Sequence, residues 1–296
     1  MGAVERVVAP ASAVMHAARR PGTYTGHLRE LTATMITVGM WPLGFGYRGR
    51  ADFPDPADPA PVPTPVLLVH GFGANKSNWL FVSRYLEQAG FSRLHAINYN
   101  PLTADIPRLA ELCAERAEDL RSHFGTDRIH IIGHSLGGVV ARYAIQVLGL
   151  RAVGVCVTIA SPHGGVRLAR YGSPLSRLSP LAAGLQLRPD SSVMRELRST
   201  VRSLPTRFVA YYSNLDLVVP ARRAMILEPE LKATNILVKD HGHLSIMLSR
   251  RLSASVVDQL GAEEGLAGYG SPVRALGTAK GAGLAVSTTR ASMPAG

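Results

Sequence analysis

Residues 129–140 decide the fold of this 296-residue chain, and they read IHIIGHSLGGVV. Their first half is a short apolar run that predicts a buried strand, and their second half begins a helical pattern. Between the two lies Gly133-His134-Ser135-Leu136-Gly137, which fits the pattern G-x-S-x-G. Ser135 is therefore expected in a strained strand-to-helix turn, where side chains at positions 133 and 137 would collide with it. The pattern predicts a nucleophilic serine, and the alternative is a plain glycine-rich turn.

A serine hydroxyl is a poor nucleophile unless a base takes its proton, and here the acid and the base should follow it in the order Ser, Asp, His. His241 and His243 both follow the last apolar run, and we favour His243 because the glycine before it allows a sharp turn toward Ser135. For the acid, we favour Asp216, which lies just past an apolar run, over Asp240, which is three residues from His243. The acid would fix the tautomer of the imidazole and stabilise the imidazolium.

The oxyanion that forms during attack by Ser135 needs two hydrogen-bond donors. The backbone N–H of Leu136 is the first candidate, because it begins the helix behind the nucleophile. The second is expected in the loop His70-Gly71-Phe72-Gly73 after the first apolar run, where we choose Phe72. The His70-Gly71 pair fits a simple tight turn as an alternative. His163 follows another apolar run and is interpreted as a histidine that orients its loop.

The pattern around this motif is an alternation of apolar runs and amphipathic stretches. The apolar runs are 66–69, 94–98, 129–132, 153–159, 208–212 and 235–238. They are continuous, as expected for strands buried on both faces. The helical stretches are 77–89, 106–124, 136–148 and 244–260. This order predicts an α/β fold, with a mainly parallel sheet of about six strands and helices on both faces.

A long insertion interrupts the alternation at residues 161–207. It contains Pro174, Pro180 and Pro189 together with apolar patches, so it is interpreted as a cap or lid. It is also basic, since it holds eight arginines but only two acidic residues, Asp190 and Glu196. Such a segment would shield an acyl chain while touching an anionic surface.

The composition is that of an ordinary globular protein, with 46% hydrophobic and 18% charged residues. The formal net charge of +11 comes almost entirely from arginine, which fits codon bias as well as attraction to anionic membranes or substrates. No dense basic run or nucleic-acid motif is present, so a nucleic-acid partner is not expected. Cys113 and Cys156 are interpreted as buried thiols, and no metal cluster, dinucleotide fingerprint or phosphate loop points to a cofactor.

The ends of the chain differ from residues 66–261, which form the predicted α/β domain. Residues 1–50 form an extension whose uncharged stretch 31–47 is short for a membrane span, so a helix on a membrane or on the domain is expected. A proline-rich linker follows at 51–65, and a disordered tail is expected at 262–296. No cleavable signal peptide is recognisable, so a cytoplasmic or membrane-associated protein is predicted.

These motifs together resemble the bacterial lipase and esterase branch of the α/β-hydrolase superfamily, especially its small triacylglycerol lipases. The resemblance rests on segments 66–72, 133–138, 213–219 and 242–244 and covers residues 65–260. It implies a serine carboxylic-ester hydrolase that works through an acyl-enzyme and acts on lipid or other small-molecule esters. The long insertion and the first fifty residues depart from the minimal lipases. An acyltransferase or thioesterase with the same triad, or a non-catalytic binding member, remains an alternative.

Overall fold

The computed structural model describes four stretches of the chain, namely residues 21–44, 64–101, 103–166 and 182–266. Residues 51–63 of the predicted linker and 267–296 of the predicted tail lie outside them. So do residues 1–20 of the extension and 167–181 of the insertion.

Within these four stretches, six strands form one parallel sheet, which confirms the predicted fold class. The strands are β1 (Val66–Val69), β2 (Leu94–Ile97), β3 (Ile129–His134), β4 (Val153–Ile159), β5 (Arg207–Ser213) and β6 (Thr234–Val238). Their order across the sheet is β2-β1-β3-β4-β5-β6. Every strand pair is parallel, so the carboxyl ends of all six strands meet at one edge. Strand β3 runs two residues beyond its predicted end at 132 and stops directly before Ser135.

Helices connect the strands and cover the sheet. They are α1 (Pro21–Met40), α2 (Leu80–Gln88), α3 (Ile106–Phe124), α4 (Leu136–Gln146), α5 (Ala182–Gln186), α6 (Ser192–Ser199), α7 (Ala221–Ala224) and α8 (Arg250–Glu263). Helix α3 shows how the sequence sets such bounds. Its first turn is capped by the Asp105 carboxylate, which accepts from the N–H of Arg108, and it ends where Gly125 takes a left-handed φ of 60°.

The core lies in two layers, one on each face of the sheet. Alternate side chains of β1 enter opposite layers, with Leu67 and Val69 in one and Val66 and Leu68 in the other. The first layer is completed by side chains of α3 and α4, and the second by side chains of α2 and α8. The structure therefore confirms the predicted helices on both faces. Cys113 and Cys156 are free, buried thiols in the first layer, as expected.

The continuous helix predicted at 244–260 is wrong. A short 3₁₀ turn spans Ser245–Leu248, and the backbone of Ser249 is then extended, with φ −78° and ψ 116°. The Ser249 hydroxyl accepts from the N–H of Leu252 at 3.3 Å and so starts α8 as a separate helix. Helix α8 runs to Glu263, and Glu264 after it accepts a hydrogen bond from Thr64 at 2.8 Å. Regular packing therefore continues past the boundary expected at residue 261.

The described second half of the insertion is built into the first core layer. Val193, Met194 and Leu197 of α6 are buried there beside α3 and α4. Polar contacts fix the same position: the side-chain amide oxygen of Gln186 accepts from the N–H of Ile106 at 2.6 Å, and the Tyr143 hydroxyl donates to Glu196 at 2.6 Å. Residues 182–207 therefore belong to the body of the domain, and the structure leaves the predicted cap untested.

Helix α1 lies on the domain beside the carboxyl edge of the sheet. Its least exposed residues recur at spacings of four, three and four, as Gly26, Glu30, Ala33 and Thr37, and this narrow stripe faces the 3₁₀ turns Lys76–Trp79 and Ser245–Leu248. Beyond α1, the Trp41 carbonyl accepts from the Asn75 side chain at 2.8 Å. The described part of this segment therefore contacts the domain, and its contact with a membrane stays a prediction. Within the described residues, no helix is long and apolar enough to cross a membrane.

Candidate active site

Ser135 occupies the strained turn that the motif predicts. Its φ of 52° and ψ of −121° are unusual for a residue with a side chain, and it lies between the end of β3 and the start of α4. Its N–H donates to the carbonyl of Ile159 on β4 at 2.8 Å, which ties the turn to the neighbouring strand. The turn thus presents the hydroxyl at the carboxyl edge of the sheet.

The glycines of the motif are required by neighbouring backbone rather than by Ser135 itself. A Cβ at Gly137 would lie 2.0 Å from the carbonyl oxygen of Val69, and one at Gly133 would lie 2.5 Å from the backbone of Gly138. The predicted collision is therefore present, but it involves the end of β1 and the first turn of α4. Close approach of these segments brings β1, β3 and α4 together around the serine.

The structure brings the three predicted site residues into one hydrogen-bonded chain. The Ser135 hydroxyl lies 2.9 Å from His243 Nε2, and His243 Nδ1 lies 2.8 Å from Asp216 Oδ2. The other Asp216 oxygen accepts from the N–H groups of Val218 and Val219, each at 2.8 Å. Because a carboxylate only accepts, the proton between His243 and Asp216 belongs to Nδ1, and Nε2 is left free to accept the serine proton.

Solvent exposure differs along the hydrogen-bonded residues Ser135, His243 and Asp216, and it is lowest at the acid. The Asp216 side chain is 1% exposed and that of His243 is 10% exposed. Two backbone donors and one imidazole partner surround this buried carboxylate, and these three hydrogen bonds stabilise its charge. This arrangement can support general-base chemistry at Ser135.

The alternative base and acid, His241 and Asp240, have hydrogen-bond partners outside the site. His241 donates from Nδ1 to the carbonyl of Lys239 at 2.7 Å. Asp240 sits at a left-handed φ of 61°, and its backbone accepts from Arg29 at 3.2 Å and donates to Asn214 at 2.8 Å. Both shape the turn between β6 and His243. Among the alternatives considered from sequence, the geometry favours His243 and Asp216.

The loop of the expected oxyanion donors lies directly against the serine. A Cβ at Gly71 would be 3.0 Å from Ser135 Cβ, and Phe72 next to it packs on the first core layer. His70 holds this loop, since its Nδ1 donates to the Gly71 carbonyl at 2.8 Å and its Nε2 accepts from the N–H of Tyr99 at 3.3 Å. Burial lowers the pKa of His70 to about 4, so the ring stays neutral and keeps this tautomer.

Sequence reasoning assigned no role to His134, although it lies inside the motif. Its Nε2 donates to the carbonyl of His243 at 3.1 Å, and its Nδ1 accepts from Asn78 at 3.2 Å. Burial, with the neighbouring His243 ring, lowers the pKa of His134 to about 3. A neutral His134 therefore links the serine strand to the histidine loop, and only its place in the motif could have drawn attention to it.

Two further residues, Glu30 and His163, hold backbone or loops near the site. Glu30 of α1 contacts the backbone after His243 from 214 positions away in sequence, a distance at which no local pattern reveals it. His163 is buried and bonds to the Thr158 hydroxyl at 2.9 Å, which fits the loop-orienting interpretation. Among the residues that the structure describes, no His, Cys, Asp and Glu side chains are grouped so as to hold a metal ion.

Comparison with known proteins agrees with this architecture. The model of the alpha/beta hydrolase family matches residues 66–256, which is more than half of the 296 residues. The chain belongs to the alpha/beta hydrolase family. The match begins at β1 and ends within α8, so it contains the serine turn, the acid and the histidine loop, and it leaves out α1.

Solved structures of three lipases share this fold. Mature Bacillus licheniformis lipase BlEst2 has a TM-score of 0.58 at 19% identity, over 69% of this chain and 94% of the lipase. Aspergillus fumigatus lipase B has a TM-score of 0.56 at 17% identity, over 67% of this chain and 52% of that one. A monoacylglycerol lipase from Paleococcus ferrophilus gives 0.53 at 15% identity, over 68% and 96%. At such identities the likeness establishes the fold alone.

Proposed function

We propose that the protein is a serine carboxylic-ester hydrolase of the lipase and esterase type. The observation that carries the proposal is the chain from Ser135 through His243 to Asp216, with both hydrogen bonds shorter than 3 Å. The serine lies at the start of α4, where backbone N–H groups are available to a developing oxyanion. A binding protein has no need of this complete arrangement.

In the proposed reaction, Ser135 Oγ attacks the ester carbonyl carbon while its proton passes to His243 Nε2. Asp216 stabilises the imidazolium, and the N–H groups of Phe72 and Leu136 donate to the oxyanion. His243 then gives the proton to the departing alcohol, which leaves the acyl group on Ser135. A water molecule transfers a proton to His243 and attacks the acyl carbonyl, and collapse of this second intermediate releases the carboxylic acid and restores Ser135.

We propose an acyl ester of medium or long chain length as the substrate. The apolar and basic insertion at 161–207 and the apolar outer face of α1 both favour a lipid-like molecule. The solved neighbours named as lipases are a reason to test this class first, and they establish no activity for this chain.

Hydrolysis of nitrophenyl esters from acetyl to palmitoyl tests the proposal, with wild type, Ser135→Ala and Ser199→Ala measured side by side. Ser199 is an exposed serine of α6 and serves as the matched control. Loss of the catalysed rate in Ser135→Ala, on the order of 10⁶-fold, is expected because the nucleophile is gone. A wild type that releases nitrophenol but passes the acyl group to an added alcohol rather than to water would move the assignment to an acyltransferase. One that hydrolyses an acyl thioester but no oxygen ester would move it to a thioesterase.

We further propose that the outer face of α1 contacts an anionic lipid surface. Tyr24, Leu28, Leu31, Met35 and Val38 are each 61% to 69% exposed. At about 100° per residue they lie about 150° around the helix from the stripe that packs on the domain. An exposed apolar face of this size, opposite a face that is already docked, is typical of a surface that binds another partner.

The charge around α1 supports an anionic bilayer as that partner. Residues 6–51 contain six arginines and one acidic residue, Glu30, whose carboxylate is already bonded to the domain. Arginine pairs at 19–20 and at 48 and 50 flank the apolar helix. Tyr24 and the 42% exposed Trp41 lie near its two ends, where amphipathic rings favour the headgroup region.

Co-sedimentation with vesicles tests this contact. Wild type is expected to bind vesicles of phosphatidylcholine mixed with phosphatidylglycerol more tightly than pure phosphatidylcholine, and Leu31→Glu with Met35→Glu should abolish the binding. Leu227→Glu changes an exposed leucine outside α1 and should leave binding intact. Absence of wild-type binding to anionic vesicles would contradict the proposal. So would a dimer that the Leu31/Met35 variant dissociates, since the face would then bind a second copy.

A further inference from the structure

The Glu30 carboxylate of α1 accepts two hydrogen bonds from the backbone that follows His243. One carboxylate oxygen, Oε1, accepts from the N–H of Leu244 at 2.8 Å, and the other, Oε2, accepts from the N–H of Ser245 at 2.8 Å. A carboxylate bound in this two-pronged way fixes both the position and the orientation of the peptide planes it contacts. Glu30 therefore restrains the two residues next to the base of the proposed reaction.

Gly242 on the other side of His243 is fitted to the same carboxylate. A Cβ at this position would lie 2.4 Å from Glu30 Oε2 and 2.5 Å from its Cδ. The φ of Gly242 is not in the left-handed region, so space rather than backbone conformation calls for glycine here. The carboxylate thus occupies the volume that a side chain at 242 would need.

The remaining backbone contacts of this loop show what Glu30 adds. The His243 carbonyl accepts from His134, and the N–H of Gly242 donates to the Ser245 hydroxyl at 2.8 Å. These contacts hold the peptides on either side of the imidazole, while Asp216 holds the ring itself. Without Glu30, the N–H groups of Leu244 and Ser245 lose their acceptor, and Ser245 is buried.

We infer that Glu30 is a positioning residue for the proposed hydrolysis: it sets the placement of His243 through the Leu244 and Ser245 amides. The inference rests on the proposed function of Ser135 and His243. It gives α1, which lies outside the matched family region, a part in the reaction. Since a small misplacement of a base lowers the rate of proton transfer more than it lowers substrate binding, the effect belongs in kcat rather than KM.

The first test compares Glu30→Ala and Glu30→Gln with wild type on the best nitrophenyl ester. Glu30→Ala should lower kcat on the order of tenfold with KM nearly unchanged, and Glu30→Gln, which keeps one acceptor oxygen, should lie between. Glu87→Ala removes an exposed glutamate of α2 and is the matched control. Hydrogen exchange at the Leu244 and Ser245 amides should accelerate in Glu30→Ala, a readout that does not depend on activity.

The sharper test is a double-mutant cycle between positions 30 and 242. Gly242→Ala should displace the carboxylate and so lower kcat about as much as Glu30→Ala, and the double variant should be no worse than either single one. The inference would be overturned if the two single losses in kcat multiplied in the double variant. It would also be overturned if Glu30→Ala kept the wild-type kcat, whatever its melting temperature. Failure of the proposed function is a separate result, because it leaves wild type itself inactive on every ester.

Discussion

The turn at Ser135 and the loop at His243 meet at 2.9 Å, yet they are held in contrasting ways. The turn is marked by its own neighbours in sequence, because β3 ends and α4 begins at the serine and glycines flank it, although it also contacts Val69 of β1 and Ile159 of β4. The loop is fixed by side chains from distant parts of the chain, including Glu30, His134 and Asp216. The nucleophile can therefore be recognised from a local motif, whereas the side chains that place its base come from distant parts of the chain.

This contrast predicts different responses to substitution. A side chain added within the serine turn would collide with neighbouring backbone, so such a change should act first on folding. Changes around the histidine loop remove single hydrogen bonds and leave the core intact, so they should act first on the rate. The following experiments sharpen or break this distinction, starting with the largest expected effect.

Replacing Asp216 by Asn should lower kcat by about 10⁴-fold, because an amide in this position favours the wrong imidazole tautomer. The free energy of unfolding should change far less. Asp240→Asn, a change in the rival acid on the same side of the sheet, is the matched control and should keep near wild-type kcat. Ester hydrolysis by the two variants decides the matter, and a larger loss in Asp240→Asn would reverse the assignment.

Replacing Gly137 by Ala should lower the free energy of unfolding by about 3 kcal/mol, because the new methyl group would meet the Val69 carbonyl oxygen at 2.0 Å. Gly39→Ala in α1 is the matched control, since a Cβ there meets nothing within 4 Å. That change should be neutral or stabilising by up to about 1 kcal/mol. Urea denaturation measures both, and a Gly137→Ala protein as stable as wild type would contradict the account of the turn.

Acidification should destabilise the contact between the two loops. The pKa of His134 falls from 6.5 to about 3 on folding, so below pH 6.5 the unfolded chain binds a proton there that the folded chain does not. The free energy of unfolding should therefore fall as the pH drops from 6.5 toward 3, and at pH 5 this one side chain should account for a loss of about 2 kcal/mol. Urea denaturation at pH 7 and pH 5 should show a smaller loss for His134→Gln than for wild type. Equal losses would mean that His134 is not a buried neutral histidine.

Much of this organisation is readable in the sequence, for physical reasons. Continuous apolar runs mark the six strands because a parallel sheet is buried on both faces. The turn at Ser135 is visible because the residue types that it requires lie within five positions of the sequence, although the backbone that requires Gly137 belongs to β1. The acid and the base could be predicted in segments 213–219 and 242–244 because each segment follows a strand, and the carboxyl ends of parallel strands lie at the same edge of the sheet.

The remainder depends on contacts between distant segments. The break at Ser249 separates a 3₁₀ turn from α8 within a pattern that still has helical periodicity. Helix α6 was assigned to a cap, although its Leu197 completes the core beside α4. Neither Glu30 nor the role of His134 has a local pattern, since each acts on backbone more than a hundred positions away.

The central claim is that Ser135 is the nucleophile and that His243 activates it. Rapid mixing of the enzyme with a nitrophenyl ester, followed by an acid quench and mass spectrometry of the digested protein, tests it most directly. The account predicts a burst of nitrophenol and an acyl group on the peptide that contains Ser135, with the burst rate strongly reduced in His243→Ala. An acyl group on another residue, or an undiminished burst in His243→Ala, would contradict it.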